Sequence, residues 1–351
     1  MADAFQYTGS LDYSQKAYQR YAYFALRPPL MYDSLADVFA TNQSMPGISV
    51  QFNIMGDLAI ASTPINELSD VSSVATTDTT TTAVLNEYGN AIRRTRALAG
   101  TSFIEIDPAL ARVVGFNGGV SIDEVAKNIA QAGTTVAYTA SGGNTSRSAL
   151  TAGDIVTAND VRLAYTYLLR NNAMPFVTGA GASNGEGNGE NMNFREGSPG
   201  TGLYGAMIHP DVNYDLRSAS GGGTWRQPHE YAQPAEIWSG ETGEFEGFRF
   251  VINPRAPQFV NAGASSANIY GSLFVGCEAL LKIWATVEDN GPRPQIIEGP
   301  VVDTLKRNRP LGWYWFGAYA IFRQTCIYRL ESASTPGGTT TGGDTQPAIN
   351  L

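Results

Sequence analysis

The stretch Tyr204-Gly205-Ala206-Met207-Ile208-His209-Pro210-Asp211-Val212-Asn213-Tyr214-Asp215-Leu216-Arg217 changes its structural period at its middle. Leu203 to Ile208 reads as a strand. Pro210 then sits where the first turn of a helix accepts a residue without an N–H, and Asp211 faces the positive end of that helix. His209 is one of only two histidines, with His229, and no second histidine or cysteine lies at ligand spacing. A strand-to-helix corner is therefore the better reading of His209-Pro210-Asp211 than a metal site or a general base. Just upstream, Gly200-Thr201-Gly202-Leu203-Tyr204-Gly205 matches a dinucleotide fingerprint on paper. That fingerprint needs a strand before it and a helix after it; here a loop precedes and a strand follows, so a turn is expected.

Downstream, Phe248, Phe250 and Ile252 stand in alternation over Phe248 to Asn253, and strand signals recur at Ile269 to Gly276, Leu280 to Thr286 and in an aromatic strand pair from Leu311 to Leu330. Upstream lie the helix signals. Asp107-Pro108 marks one start, with Gly115 as its stop; Ser121-Ile122-Asp123-Glu124 reads as a capping box for a second helix ending at Gly133. The spacing predicts a third helix from Thr157 that carries Val161, Ala164, Tyr165 and Leu168 and ends before Pro175. A short helix is expected over Asp33 to Phe39. Val50, Phe52 and Ile54 alternate with polar residues, and after a Ser/Thr-rich loop a second β-biased run, Ala83 to Tyr88, leads to Arg93-Arg94-Thr95-Arg96. Such a ribbon is marginal alone, so a neighbouring subunit is its expected support. Gly179 to Gly202 reads as a loop and the last twenty residues as a tail. The fold class is α+β.

Composition narrows the function. The 351 residues include 16% charged side chains, 11% aromatics and 38 glycines. A soluble domain usually carries roughly 25% charged residues, so much of the surface is expected to lie against other subunits. The net charge of −9 leaves no global basic field for reading duplex DNA. Cys277 and Cys326 sit in apolar runs and read as buried free thiols. The start MADAFQYTG is not a signal peptide, and the apolar stretch Leu311 to Phe322 is too short to span a bilayer. No nucleophile elbow or cysteine–base pattern is present, and the acidic groups Glu241/Glu244/Glu246 and Glu105/Asp107 read as solvated turns. No catalysis, cofactor or metal is expected. Trp313-Tyr314-Trp315-Phe316 reads as a core or interface strand, with a carbohydrate-stacking platform as the sharper alternative.

Two features point to protein contacts. Tyrosine gives much contact area for little entropy, so the N-terminal Tyr18, Tyr21 and Tyr23 read as a docked arm; a loose terminus is the plainer alternative. Arg93, Arg94 and Arg96 have the fork geometry for carboxylates on a neighbour, or form a solvated rim. With Phe52 these are the candidate inter-subunit contacts.

Several blocks together resemble the tailed-phage major capsid proteins. They are Leu168-Leu169-Arg170-Asn171-Asn172-Ala173, the Tyr204–Arg217 stretch, Trp225, His229-Glu230-Tyr231-Ala232, Ile237, Gly240-Glu241 and Gly243-Glu244-Phe245-Glu246-Gly247-Phe248-Arg249-Phe250. Thr63-Pro64-Ile65-Asn66-Glu67 and Asn86-Glu87-Tyr88-Gly89-Asn90 add to them. The branch resembled most is that of coliphage N-four, over roughly residues 49 to 330. The resemblance implies the Hong Kong 97-type fold. An N-terminal arm would occupy 1–48, an extended ribbon (E-loop) 49–96, and a peripheral domain with its spine helix 97–154. An axial domain would take 155–300, closing peripheral strands 301–330 and a flexible tail 331–351. It implies pentamers and hexamers of an icosahedral head enclosing double-stranded DNA, held by non-specific contact, with no membrane. It also implies portal, separate scaffold and cement proteins as partners, a place in the virion and assembly in the host cytoplasm. Three departures stand out: Gly115-Phe116-Asn117-Gly118-Gly119 predicts a break in the spine helix, no lysine lies between Lys16 and Lys127, and no helical N-terminal extension suggests a fused scaffold. Lysine cross-linking through the ribbon is therefore not expected. A nanocompartment shell of the same fold and an extracellular β-rich glycan-binding protein are the alternatives.

Overall fold

The computed structural model describes residues 30–41, 48–56, 58–62, 64, 73–101, 106–139, 143–176, 203–218, 225, 241–285, 291–299, 305 and 307–337. Fourteen strands and four α-helices fall within these residues, as an α+β fold in which strands dominate. The chain divides into two compact units. Gly89–Gly118 and Gln295–Tyr314 belong to the smaller; Pro28–Tyr88, Gly119–Pro294 and the chain from Trp315 belong to the larger.

The larger unit is built on a seven-stranded sheet. Its order is β5 (Val136–Tyr138), β14 (Ile327–Ser332), β10 (Ile269–Val275), β6 (Tyr204–Ile208), β8 (Phe248–Ile252) and β7 (Glu241–Phe245), with β9 (Gln258–Phe259) also paired to β10. Every residue of β6 and β10 is buried, the pattern of a strand covered on both faces. Aromatic rings fill one layer: Phe248 meets Phe274 edge-on at 4.7 Å, and Tyr165 of α3 (Ala158–Arg170) lies 5.7 Å from Tyr204 and 6.0 Å from Phe248. The α3 start is where the spacing predicts it. The Thr157 N–H and hydroxyl both donate to Asp160 Oδ2, at 2.9 and 2.7 Å, so a buried carboxylate closes the first turn. Glu246 and Gly247, with φ of 48° and 81°, make the tight turn between β7 and β8. A Cβ on Gly247 would stand 2.4 Å from the Tyr165 ring, so only glycine fits there. Tyr204 to Ile208 and α4 (Pro210–Ser218) confirm the strand-to-helix corner at His209.

A second sheet in the larger unit pairs β1 (Ala36–Thr41) in parallel with β11 (Leu280–Ala285), and β11 antiparallel with the last residues of β13 (Asn308–Ile321). The helix expected over Asp33 to Phe39 is instead a single 3-10 turn, Asp33–Leu35, followed directly by β1. Tertiary pairing overrides the local signal here, because β11 supplies a partner for every β1 residue. On this sheet lies the ribbon, β2 (Ser49–Met55) antiparallel to β3 (Asp78–Val84). Val50 opposes Ala83 and Phe52 opposes Thr81, and this face packs on Leu281, Ile283, Ala318 and Ala320. Phe52 meets Phe322 edge-on at 6.3 Å. The ribbon base therefore rests on its own chain, which corrects the expectation that a neighbour supports it.

The smaller unit holds most of β4 (Asn86–Thr95), the first half of β13, β12 (Gln295–Glu298), α1 (Arg96–Thr101) and the start of α2 (Ile106–Gln131). β13 lies between β4 and β12. α2 runs unbroken for 26 residues, which corrects the expected break at Gly115–Gly119 and the capping box at Ser121. Glycine costs about 1 kcal/mol in a helix interior, and packing outweighs it. Ile296 lies where a Gly115 Cβ would meet its Cδ1 at 3.4 Å, and Asn117 Oδ1 accepts from Trp313 Nε1 at 2.8 Å and Asn90 Nδ2 at 3.3 Å. In the larger unit a Cβ on Gly119 would come within 2.8 Å of Leu30 Cδ1. Glu124, instead of capping, takes Lys127 and Arg255, each at 2.7 Å.

Other boundaries also move. β4 pairs with β13 rather than within the ribbon, so the ribbon closes at Val84 and not at 96. β13 and β14 are not a hairpin: they enter different sheets through a 3-10 corner, Gln324–Cys326, that lacks hairpin turn residues and is tied by Arg323 to Glu278 at 2.9 Å. Since β5 and β14 share the sheet of β6 and β8, divisions at 154 and 301 cut across it. The chain remains built into the fold through Gly337, past the expected tail start. Glu331 receives Arg147 through two 2.7 Å bonds, the Thr335 N–H donates to Asp215 at 2.8 Å, and Asn268 donates to the Gly337 carbonyl.

Two buried carboxyls and one ring make these contacts testable. Asp123 Oδ1 accepts the N–H groups of Tyr32 and Asp33 at 2.7 and 3.2 Å. Losing two such bonds in Asp123→Ala is expected to lower subunit stability by about 2 kcal/mol in urea unfolding. Phe52→Ala is expected to cost about 1–2 kcal/mol in the isolated subunit, less than for a wholly buried ring; no loss would place Phe52 outside the subunit's own core. Asp37 is pushed up to about 7 by burial, with the Glu278 charge adding and its backbone N–H opposing, and its Oδ1 has no partner among the described residues. The folded state thus holds more protons than the unfolded chain between about pH 4 and 7, so this group's contribution to stability falls as pH rises through that window. Asp37→Asn is expected to flatten that slope in melting temperatures from pH 5 to 8 and to raise the value at pH 8.

Candidate assembly surfaces

Strand alternation decides what the arginine cluster does. In β4, Asn90, Ile92 and Arg94 share one face and Ala91, Arg93 and Thr95 the other. Asn90 and Trp313 both bond Asn117 of α2, so the first face is the one that α2 covers. Arg94 lies on it and approaches Glu298 at 4.0 Å, where Arg309 also stands at 3.9 Å. Within its own chain, then, Arg94 has a carboxylate at the outer limit of an ion pair. Arg93 and Arg96 are exposed; the Arg96 N–H donates to the Arg307 carbonyl at 2.7 Å as α1 begins. Phe52 is directed inward, as described above. Tyr18, Tyr21 and Tyr23 lie outside the described residues, as does the loop from 179 to 202.

Sequence reasoning overlooked a face of the smaller unit's sheet on which Ala91, Arg93, Thr95 and Ile297 are exposed. The row Ala91, Gly312 and Ile297 crosses β4, β13 and β12, since Gly312 is in register with Ile297 and a Cβ on Gly312 would meet Ala91 Cβ at 2.9 Å. Glycines at 89 and 312, set against β-alternation, were the available signal. Exposed apolar residues also line the ribbon and the chain beyond it: Met55, Leu58, Ile60, Val74 and Val84, with Ile60 at 93% exposure.

No described cluster is arranged for bond-making. His209 Nδ1 accepts the Asp211 N–H at 3.2 Å, and Asp211 Oδ2 accepts Tyr270 OH at 2.7 Å. The His209 contact, helped by Tyr270, holds the Asp211 carboxyl below the usual range against the effect of burial. This is a structural corner. Burial pushes both thiols, Cys277 and Cys326, above the ordinary cysteine value, so thiolate is disfavoured. Glu246 pairs with Arg162 at 2.7 Å. Trp313 and Trp315 are buried, with Trp315 stacked on Tyr88 at 5.8 Å and donating to the Gly291 carbonyl, so the proposed glycan platform has no exposed indole. Tyr204 and Gly205 of the glycine fingerprint stand in β6, not in a helix. Among the described residues no group of three metal-ligating side chains occurs, and no helix is long and apolar enough to cross a membrane.

The fold itself has known counterparts. The capsid of Ralstonia phage GP4 superposes with a TM-score of 0.69 at 13% identity, covering 96% of this chain and 97% of that one. The capsid of cyanophage Pam1 gives 0.67 at 12%, covering 95% and 99%, and that of cyanophage P-SCSP1u gives 0.61 at 14%, covering 92% and 94%. No curated protein sequence matches the chain. The architecture is that of the Hong Kong 97-type capsid proteins. The profile of the phage capsid protein family matches residues 8–325, and the chain belongs to that family, with the role of a major capsid protein.

Proposed function

We propose that this chain self-assembles into the pentamers and hexamers of an icosahedral tailed-phage head that encloses double-stranded DNA. The family match over residues 8–325 carries the reading. Exposed apolar residues along the ribbon support it, because a lone soluble subunit gains nothing from Met55 at 82% and Ile60 at 93% exposure. The work is association rather than bond-making. The ribbon and the tyrosine-rich arm add contacts across subunits, and Arg93 and Arg96 set register. With a net charge of −9 the shell repels packed DNA overall, so its genome contacts are weak and non-specific. Portal, a separate scaffold and a cement protein are the partners this role calls for, and assembly takes place in the bacterial cytoplasm. Within the family, the Tyr204–Arg217 block favours the branch of coliphage N-four.

Electron microscopy of the purified chain, beside size-exclusion chromatography, is expected to show shells or capsomer-sized rings. Deleting residues 58–73 spares β2 and β3 while removing the chain that joins them. That variant is expected to keep the melting temperature of the subunit within a few degrees and to form no closed shells. Normal shells from it would refute the ribbon's part in assembly.

A further inference from the structure

We propose that Asp37 is a proton-operated latch under the base of the ribbon: with its carboxyl neutral the ribbon stays seated on the sheet of β1, β11 and β13, and with the carboxyl ionised the seat loosens. The inference goes beyond the assembly reading and does not depend on it, because every residue it uses lies in the larger unit of one chain. Asp37 is in register with Leu281, so its side chain leaves the sheet on the face of Leu281 and Ile283. On that face Ala83, Leu85, Val50 and Phe52 pack. Asp37 is only 9% exposed there, and its Oδ1 has no partner among the described residues. A carboxyl buried in this way either stays neutral or, once ionised, favours any rearrangement that lets water reach it.

The described surroundings give Asp37 no counter-charge. Lys282, the buried cation of β11, leaves on the opposite face, where Asp33 and Tyr319 take it. Glu278, in the turn from β10 to β11, donates its backbone N–H to Asp37, and its carboxylate is a second negative charge nearby. Arg323 of the 3-10 corner is engaged by that Glu278 carboxylate at 2.9 Å. The thiols of Cys277 and Cys326 also feel the Asp37 charge, and burial raises both, so they stay protonated near neutrality. The ribbon's inward row of Val50, Phe52, Thr81 and Ala83 carries no charge, nor do Ala318 and Ala320 of β13. Burial pushes the Asp37 carboxyl up to about 7; the Glu278 N–H opposes the rise and the Glu278 charge adds to it. When the ribbon lifts and water enters, the carboxyl returns toward its ordinary value of about 4. The seated state therefore holds an extra proton between about pH 4 and 7. Its advantage falls as pH rises through that window and is level above it.

The test is hydroxyl-radical footprinting of the full-length chain from about pH 5 to about pH 8, the span that brackets the upper part of this window. Phe52 meets Phe322 at the seat, so oxidation of these two rings, normalised to added free phenylalanine, reports release of the ribbon. Sedimentation velocity at each pH keeps the comparison to one oligomeric state. The released fraction is expected to rise by up to about tenfold per pH unit until about pH 7 and then to level off. Asp37→Asn keeps an acceptor for the Glu278 N–H and cannot ionise, so both rings are expected to stay protected across the whole range. Glu278→Gln removes the neighbouring charge and keeps the N–H, and is expected to end the rise at a lower pH; should Asp37→Asn melt early, that shift decides the matter. Hydrogen exchange in β1 and β11, corrected for intrinsic rates, is expected to stay constant. Ring oxidation in the parent that does not change with pH would overturn the inference, as would the same rise in Asp37→Asn. So would a loss of protection in β1 and β11 that accompanies the rise, because the sheet would then be opening rather than the ribbon lifting.

Discussion

Lys282 is buried in the middle of β11, and a buried ammonium is tolerated only with a partner. Its partner comes from the far end of the chain: Asp33 Oδ1 stands 2.5 Å from Lys282 Nζ and also accepts the Tyr319 hydroxyl. The rings of Trp315 and Tyr319 each lie 5.8 Å from the ammonium. Asp33 is itself held in place, because Asp123 of α2 accepts its N–H and that of Tyr32. Burial raises the Asp123 carboxyl above its ordinary value, although those two N–H groups and Arg255 oppose the rise. One buried cation thus brings β11, β13, α2 and the segment ahead of β1 to a common point.

The rest of the larger unit follows from that point. With Asp33 pinned, the chain leaves the 3-10 turn directly into β1 and pairs in parallel along all six residues of β11. β11 and β13 then present Leu281, Ile283, Ala318 and Ala320 as an apolar floor, and the inward face of the ribbon lies on it. Thr81 Oγ1 donating to the Phe322 carbonyl at 3.4 Å marks the same contact from β3. Met55, Leu58 and Ile60 are not in that packed cluster and are exposed. A capsid subunit needs that division: a base rigid enough to aim the ribbon, and a far part whose burial waits for a neighbour.

Much of this was legible in local chemistry, and the failures share a cause. Strand alternation located β2 and β8, apolar strand runs located β6 and β10, and the Thr157 and Pro210 signals located α3 and α4, because each of those patterns reports the burial or capping of the very residues that carry it. The α2 glycines were misread because their effect depends on Ile296 and Leu30, which are remote in sequence. No local signal could pair Arg94 with Glu298, which lies two hundred residues away. Phe52 was correctly placed on a strand face, but no local signal says whether that face meets its own chain or another. β13 and β14 were read as partners because neighbouring strands usually pair, whereas burial on both faces drew β14 between β5 and β10.

By itself the sequence determined the class of elements, the absence of a recognisable catalytic pattern, the low charge that suits shared surfaces, and a family resemblance carried by the block from 204 to 250. These are properties of residue order and composition, and periodicity reads them directly. Only the tertiary structure decided that α2 is continuous, that the ribbon base packs on its own sheet, that Arg94 approaches Glu298 while Arg93 is exposed, and that Ala91 and Ile297 are exposed on one face of the smaller unit's sheet. Each of those depends on which remote residue arrives at a given face, and that is settled by packing and by the partners that buried charges require.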